Sequence, residues 1–176
     1  MVITYQTGTF SDNNQQDIKD FVLEQSPRFA ESLEIEFNEI LSKSHSCYAI
    51  AKDGDVIVGL RLQFSVEENP YLSAHTDLNS FLATVPTSLS SLVVPAHIYI
   101  KSGYSNQNIG DAVSRRAAQY SIDAGYSHQI NYGYETQAIF DYAQRIGNLI
   151  DTGVDDYNNY RIYLRELQDT VDYVTP

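Results

Sequence analysis

The sequence predicts an α/β domain built on a mixed, largely antiparallel sheet of six or seven strands, flanked by helices. Three observations carry that expectation. The pair Asp53-Gly54 separates two β-rich runs, which is the pattern of a tight hairpin. Around Gly110 a strand, a loop of small and amide residues and an amphipathic helix follow one another. Strand and helix periodicities alternate along the chain in the order β-α-α-β-β-(insertion)-β-α-β-α-β-β.

Taken in order, Val2–Gln6 alternates apolar and polar residues as an opening strand does. Ser11 offers an N-cap for a helix ending near Gln25, with Ile18, Phe21 and Val22 at helical spacing. Ser26-Pro27 then starts a second helix, a cap followed by proline at the first helical position. Its apolar stripe is Phe29, Leu33, Phe37, Ile40 and Leu41; Glu31, Glu34, Glu36 and Glu39 read as a solvated face. Cys47–Lys52 and Val56–Phe64 are the hairpin strands, with Cys47 a small buried hydrophobe. From 66 to 95 the pattern lapses into an insertion containing Pro70, Pro86 and Pro95 and a short helix around Asp77–Leu82. Ala96–Lys101 resumes as a strand, and Ile109–Ala124 is a helix stopped by Gly125. Ile130–Tyr132 centres a strand, Thr136–Arg145 a helix, and Asn148–Asp151 and Tyr160–Leu167 are the last strands. Residues 1–167 thus form one domain, and 168–176 a loose tail. The strands around Tyr99 and Asn131 should run parallel, joined by the Ile109–Ala124 helix.

Composition narrows the function. With 176 residues, 43% hydrophobic and 19% charged, the chain has the make-up of a single globular domain. Eleven Lys+Arg against 23 Asp+Glu give a net charge of −12, which argues against nucleic-acid or anionic-membrane partners. One Cys rules out an intrachain disulfide framework, and no Cys/His group has zinc spacing. No apolar run reaches membrane-span length, and Met1–Thr4 carries no signal region, so a soluble cytoplasmic domain is expected, without a metal.

The loop entering the helix at Ile109 carries the chemistry. A helix N-terminus points unpaired backbone N–H groups at one spot and adds positive potential, so phosphate can bind there without basic side chains. Order and spacing then resemble the GNAT superfamily of acetyl-CoA-dependent N-acyltransferases. That family's loop reads approximately Tyr-Arg-Gly-Lys-Gly-Ile-Gly-x-Ala-Leu, and Tyr104, Ile109, Gly110, Ala112 and the apolar Val113 match it. Ala138 and Tyr142 echo the family's Asn-x-x-Ala-x-x-x-Tyr, and Val58-Gly59 closes a hairpin like its second and third strands. The resemblance spans roughly Cys47 to Leu167. Ser105 stands where the family has arginine, Asn108 where it has the first helix-start glycine, and Glu135 where it has asparagine. A shifted alignment over Gln107–Ala112 keeps Gly110 in the motif.

The resemblance implies acetyl-CoA as co-substrate, in a cleft where the two central parallel strands splay. Ile100, Ser105, Asn106, Gln107, Asn108, Ile109, Gly110 and Asp111 would hold it, and Tyr142 would protonate the leaving sulfur. Counted back from Gly147, Ala143 takes that place instead. For the base, His97 comes first, since imidazole titrates near neutrality; its alternating strand puts it on one face with Tyr99, and Ile98 with Ile100 on the other. Glu135 is the second candidate. Arg115 and Arg116 point in different directions, so at most one serves the coenzyme. The acceptor would be a small-molecule or peptide amine, with the acidity leaning toward a cation; a homodimer is compatible with all of this. The eroded motif positions favour an alternative, a catalytically silent GNAT-fold protein kept for binding or assembly. A third reading is an unrelated α/β structural protein.

Overall fold

The computed structural model describes residues 2–11, 13, 15–66, 88–105, 107–134, 150–155 and 160–173, with the backbone alone for 89, 131–134, 150–155 and 160–163. The elements are β1 (Ile3–Thr9), α1 (Gln15–Gln25), α2 (Leu33–Leu41), β2 (Ser46–Asp53), β3 (Val56–Ser65), β4 (Leu92–Ile100), α3 (Ile109–Asp123), β5 (His128–Tyr134), β6 (Ile150–Asp155), β7 (Tyr160–Glu166) and α4 (Leu167–Asp172). Seven strands form one sheet in the order β1-β2-β3-β4-β5-β7-β6. Every neighbouring pair is antiparallel except β4 and β5, which are parallel.

That parallel pair is short. Although β4 has nine residues and β5 seven, only Leu92 with His128 and Val93 with Gln129 are partners. Beyond Val93 the two strands part. Pro95 lies two residues further on and has no N–H to give a ladder. The adjacent Ala96 is bulged out of the β3 pairing, so that Leu62 meets His97 and Gln63 meets Pro95. From Val94 to Ile100, β4 therefore keeps β3 on one edge and leaves the other unpaired within the described residues. The central strands splay as expected.

The two faces of the sheet are filled differently. On one, Phe10, Ile18, Phe21, Val22, Leu33, Phe37 and Ile40 close over Tyr48, Ile50, Leu60, Leu62, Phe64 and Val94. On the other, α3 lies on small residues: Ile109, Val113 and Ala117 pack against Ala49, Ala51 and Val58. Strand alternation sends successive residues of β2 and β3 to opposite faces, so one hairpin builds both layers.

Several expected boundaries move. The helix expected from Ser26 breaks: Pro27–Phe29 is a single 3-10 turn, and α2 begins at Leu33. Its i→i+3 bonds, Ala30 N–H to Pro27 O and Ser32 N–H to Phe29 O, close the turn before α2 begins, and Phe29 still packs against the core that holds Phe37. Leu92–Pro95, assigned to the insertion, opens β4, because the bulge accommodates the proline. The tail expected over 168–176 is wrong at its start: α4 docks there, with Leu167 buried against Val93 and Ala118, and Ile122, Tyr126 and Val171 packed around them. The Asp77–Leu82 and Thr136–Arg145 helices lie outside the described residues.

Candidate functional site

The helix–loop site is assembled from β2, β3, β4 and the start of α3. Lys101 N–H extends the β3–β4 pairing to Val58 O at 2.9 Å, and Tyr104 N–H closes a turn on Lys101 O at 3.0 Å. Gly103 makes that turn at φ +90°. Tyr104 Oη then donates to Asp53 Oδ2 at 2.8 Å, tying the loop to the end of β2. Accepting that bond only from the neutral phenol, Asp53 raises the Tyr104 pKa above its ordinary value.

Asn108 is the N-cap of α3 and adopts the left-handed conformation, φ 56° and ψ 18°, the one positive φ among described non-glycine residues. Its carbonyl accepts from Ala112 N–H at 3.0 Å. Asn is among the few L residues that take this conformation at low cost, so the exchange of glycine for asparagine keeps the backbone path.

Two glycines beside Ile100 have opposite explanations. A Cβ on Gly59 would stand 2.5 Å from Ile109 Cγ2, so glycine is what lets α3 settle onto β3. Among the described residues, a Cβ on Gly110 would meet only Ile100 carbons at 3.8 Å, ordinary contact, and its φ is not positive. Neither the packing of the described residues nor the backbone conformation demands glycine at 110; a close-approaching ligand would. Ser105, Gln107 and Asn108 are exposed, Gly110 and Asp111 half-buried, and Ile109 is core, offering the site its backbone only. Of the two arginines, Arg116 lies over the Tyr5 ring at 4.0 Å and donates to Ala112 O at 3.3 Å.

Across the sheet, the structure puts His97 with Tyr99 as the alternation requires; their rings stack at 5.7 Å. His97 is buried rather than lining an open surface, with Phe29 edge-on at 5.3 Å and Phe37 at 6.2 Å. Its Nε2 lies 3.0 Å from Glu36 Oε1 on α2. Despite that distance, Nε2 makes no well-aligned hydrogen bond among the described residues. Glu36, grouped with the solvated carboxylates, is the residue that sequence reasoning missed. The signal was its position three residues after Leu33 and four before Ile40, at the border of the buried stripe. Asn106, Glu135, Tyr142 and Ala143 lie outside the described residues.

Cys47 is no rival nucleophile. Its thiol sits among Ser121 Oγ at 3.6 Å and Ala117 O at 4.0 Å, and burial pushes its pKa up to about 11. Among the described residues no group of three metal-ligating side chains gathers, and no helix is long and apolar enough to cross a membrane.

The fold that carries this arrangement superposes on solved acyltransferases. A GNAT-family acetyltransferase from Staphylococcus aureus Mu50 superposes with a TM-score of 0.57 over 93% of this chain and 99% of that one, at 12% identity. This chain has the GNAT fold. The AHL synthase LasI gives a TM-score of 0.69 at 12% identity, over 99% of this chain and 98% of that one. The CoA-dependent acyl-homoserine lactone synthase BjaI, solved with SAM and isopentyl-CoA, gives 0.67 at 11%, over 97% and 87%. By sequence, no family model and no curated protein matches the chain. At such identities the likeness is one of fold, and chemistry has to be argued from the site.

Proposed function

We propose that this protein transfers an acyl group from a coenzyme A thioester, acetyl-CoA in the first instance, to the primary amine of a small-molecule or peptide acceptor. The observation that carries the reading is the edge of β4 beside the α3 N-terminus, unpaired among the described residues, with Gly110 at a position where those residues impose no need for glycine. The first-turn N–H groups of α3, led in by Ser105, Asn106, Gln107 and Asn108, would take the coenzyme's phosphates, aided by the helix dipole. Ile100 would floor the same cleft. The unpaired β4 edge offers backbone N–H groups to a developing oxyanion on the thioester carbonyl. When bound, the coenzyme supplies an activated acyl group and a thiol leaving group.

Tyr142 is our proposed donor to the leaving sulfur, with Glu135 and His97 the groups proposed for proton removal. BjaI was solved with isopentyl-CoA, which supports a coenzyme A thioester here and extends the range beyond acetyl. A net charge of −12 favours a cationic acceptor. The reaction would take place in the cytoplasm, by a monomer or homodimer.

The test is thiol release from acetyl-CoA and from longer acyl-CoA thioesters, offered with a polyamine, an aminoglycoside, a lysine peptide and an amino-acid ester. Amine-dependent release with at least one pair is expected. Coenzyme binding without release would favour the silent binding protein, and no binding at all would refute the reading.

A further inference from the structure

The sequence nominates His97 as base, but the accessible partner of the pair is the other one. In the His97–Glu36 contact the histidine side chain is 2% exposed and the glutamate 33%. Phe29, Phe37 and Tyr99 surround the imidazole, and Leu62 is its cross-strand partner on β3. An acceptor amine can reach a Glu36 oxygen without disturbing that enclosure; it cannot reach His97 Nε2. We propose that Glu36 is the group that meets the acceptor's ammonium and takes its proton, with His97 beneath it as a positioning residue. This deepens, and rests on, the acyltransferase reading.

Three observations support the assignment. A buried imidazole whose Nε2 has no hydrogen bond is costly, and an apolar residue in this core of Phe and Leu would be more stable. The pair also stands at a stretch of β4 four residues beyond the last β5 partner, where the strand edge is open among the described residues. Finally, the basic groups on the surrounding elements are engaged elsewhere. Lys101 pairs with Glu24 of α1 at 2.7 Å, Lys19 with Glu34, and Lys43 with Glu39 at 3.5 Å, while Arg28 lies over Phe29 at 5.0 Å. Of the described groups facing the imidazole, Glu36 is the carboxylate and Tyr99 the phenol; β3 contributes apolar side chains. Among the described residues, an arriving ammonium would therefore compete with no resident cation for Glu36.

In the step, Glu36 first takes one proton from the ammonium and passes it to solvent, freeing the nitrogen's electron pair. The amine nitrogen then bonds to the acyl carbon as the carbon–sulfur bond breaks, that bond's electron pair leaving on sulfur. The nitrogen's second proton replaces the one that Tyr142 or water gives the thiolate, so acyl thioester plus ammonium gives amide, thiol and one proton. Apo geometry off the hydrogen-bond line is common for such groups, and substrate closure aligns them.

The experiment compares wild type with Glu36→Gln, Glu36→Asp and His97→Asn on whichever amine the panel identifies. Glu36→Gln should lower kcat/KM for the amine by about 10²-fold or more, leave KM for acyl-CoA unchanged and flatten the acidic limb of the pH profile. Calorimetry on protein saturated with coenzyme A should show weaker amine binding by Glu36→Gln, and Glu36→Asp should restore part of both effects. His97→Asn should displace the acidic limb without removing it. Since Glu36 lies at the surface, its variants should fold even if His97→Asn does not. Wild-type amine affinity and pH profile in Glu36→Gln would overturn the proposal while leaving the acyltransferase reading intact. Absence of amine-dependent thiol release by wild type would overturn both.

Discussion

The two faces of the sheet use opposite kinds of residue for opposite purposes. The α1/α2 face is filled with large side chains, Phe37 against Phe10 at 5.0 Å among them, and holds the contact between buried His97 and half-buried Glu36. The α3 face is built from Ala49, Ala51, Gly59 and Ala117, with Gln63 donating to Ala117 O at 2.9 Å and to Ser121 Oγ at 2.6 Å. Large residues bury apolar area and supply stability. Small ones let a helix approach the sheet, and they fix where its N-terminus ends. The bulk of the apolar core and the proposed coenzyme site thus fall on different sides of the same strands.

Substitutions should separate the two roles. Phe37→Ala should cost about 3–5 kcal/mol in denaturant unfolding, the cavity being left in the large-residue face, with coenzyme affinity unaltered at temperatures where it stays folded. A comparable loss of coenzyme affinity in that variant would break the division. On the other face, Cys47 carries a pH-dependent share of stability. Its pKa rises from 9.0 to about 11 on folding, so that share is whole below pH 9 and is lost as pH climbs through that window. Urea midpoints measured between those pH values should show wild type losing on the order of 2 kcal/mol relative to Cys47→Ala, and the native thiol should be inert to thiol reagents at neutral pH. Gly59→Ala should cost about 1–3 kcal/mol, because the new methyl meets Ile109 Cγ2 at 2.5 Å. Unlike Phe37→Ala it should also weaken coenzyme binding, measured by calorimetry, since α3 must lift; adding Ile109→Ala should recover part of the stability.

Much of this division was legible in the sequence. The Asp53-Gly54 hairpin, the strand–loop–helix at Gly110 and the Gly125 stop all follow from local rules, and local rules held there. Pro95 was misread because proline ordinarily ends a strand; only a bulge and an unpaired neighbouring edge, both tertiary facts, make room for it. The α2 start was misplaced because Ser26-Pro27 is a sound helix signal that here starts a single 3-10 turn, with α2 beginning only at Leu33. Glu36 was grouped with three neighbours by charge, whereas its pairing depends on a strand 61 positions away in the chain. Asn108 looked like a lost glycine, yet it holds the left-handed turn that a glycine would.

The central claim is that the α3 N-terminus and the open edge of β4 form one coenzyme site. Backbone amide chemical shifts followed during an acetyl-CoA titration test it most directly. The account predicts that the largest changes fall together on Gln107–Asp111 and on Val94–Ile100 of β4, with α4 and β1 unaffected. Saturating coenzyme that leaves those two segments unmoved, or shifts residues elsewhere instead, would contradict it.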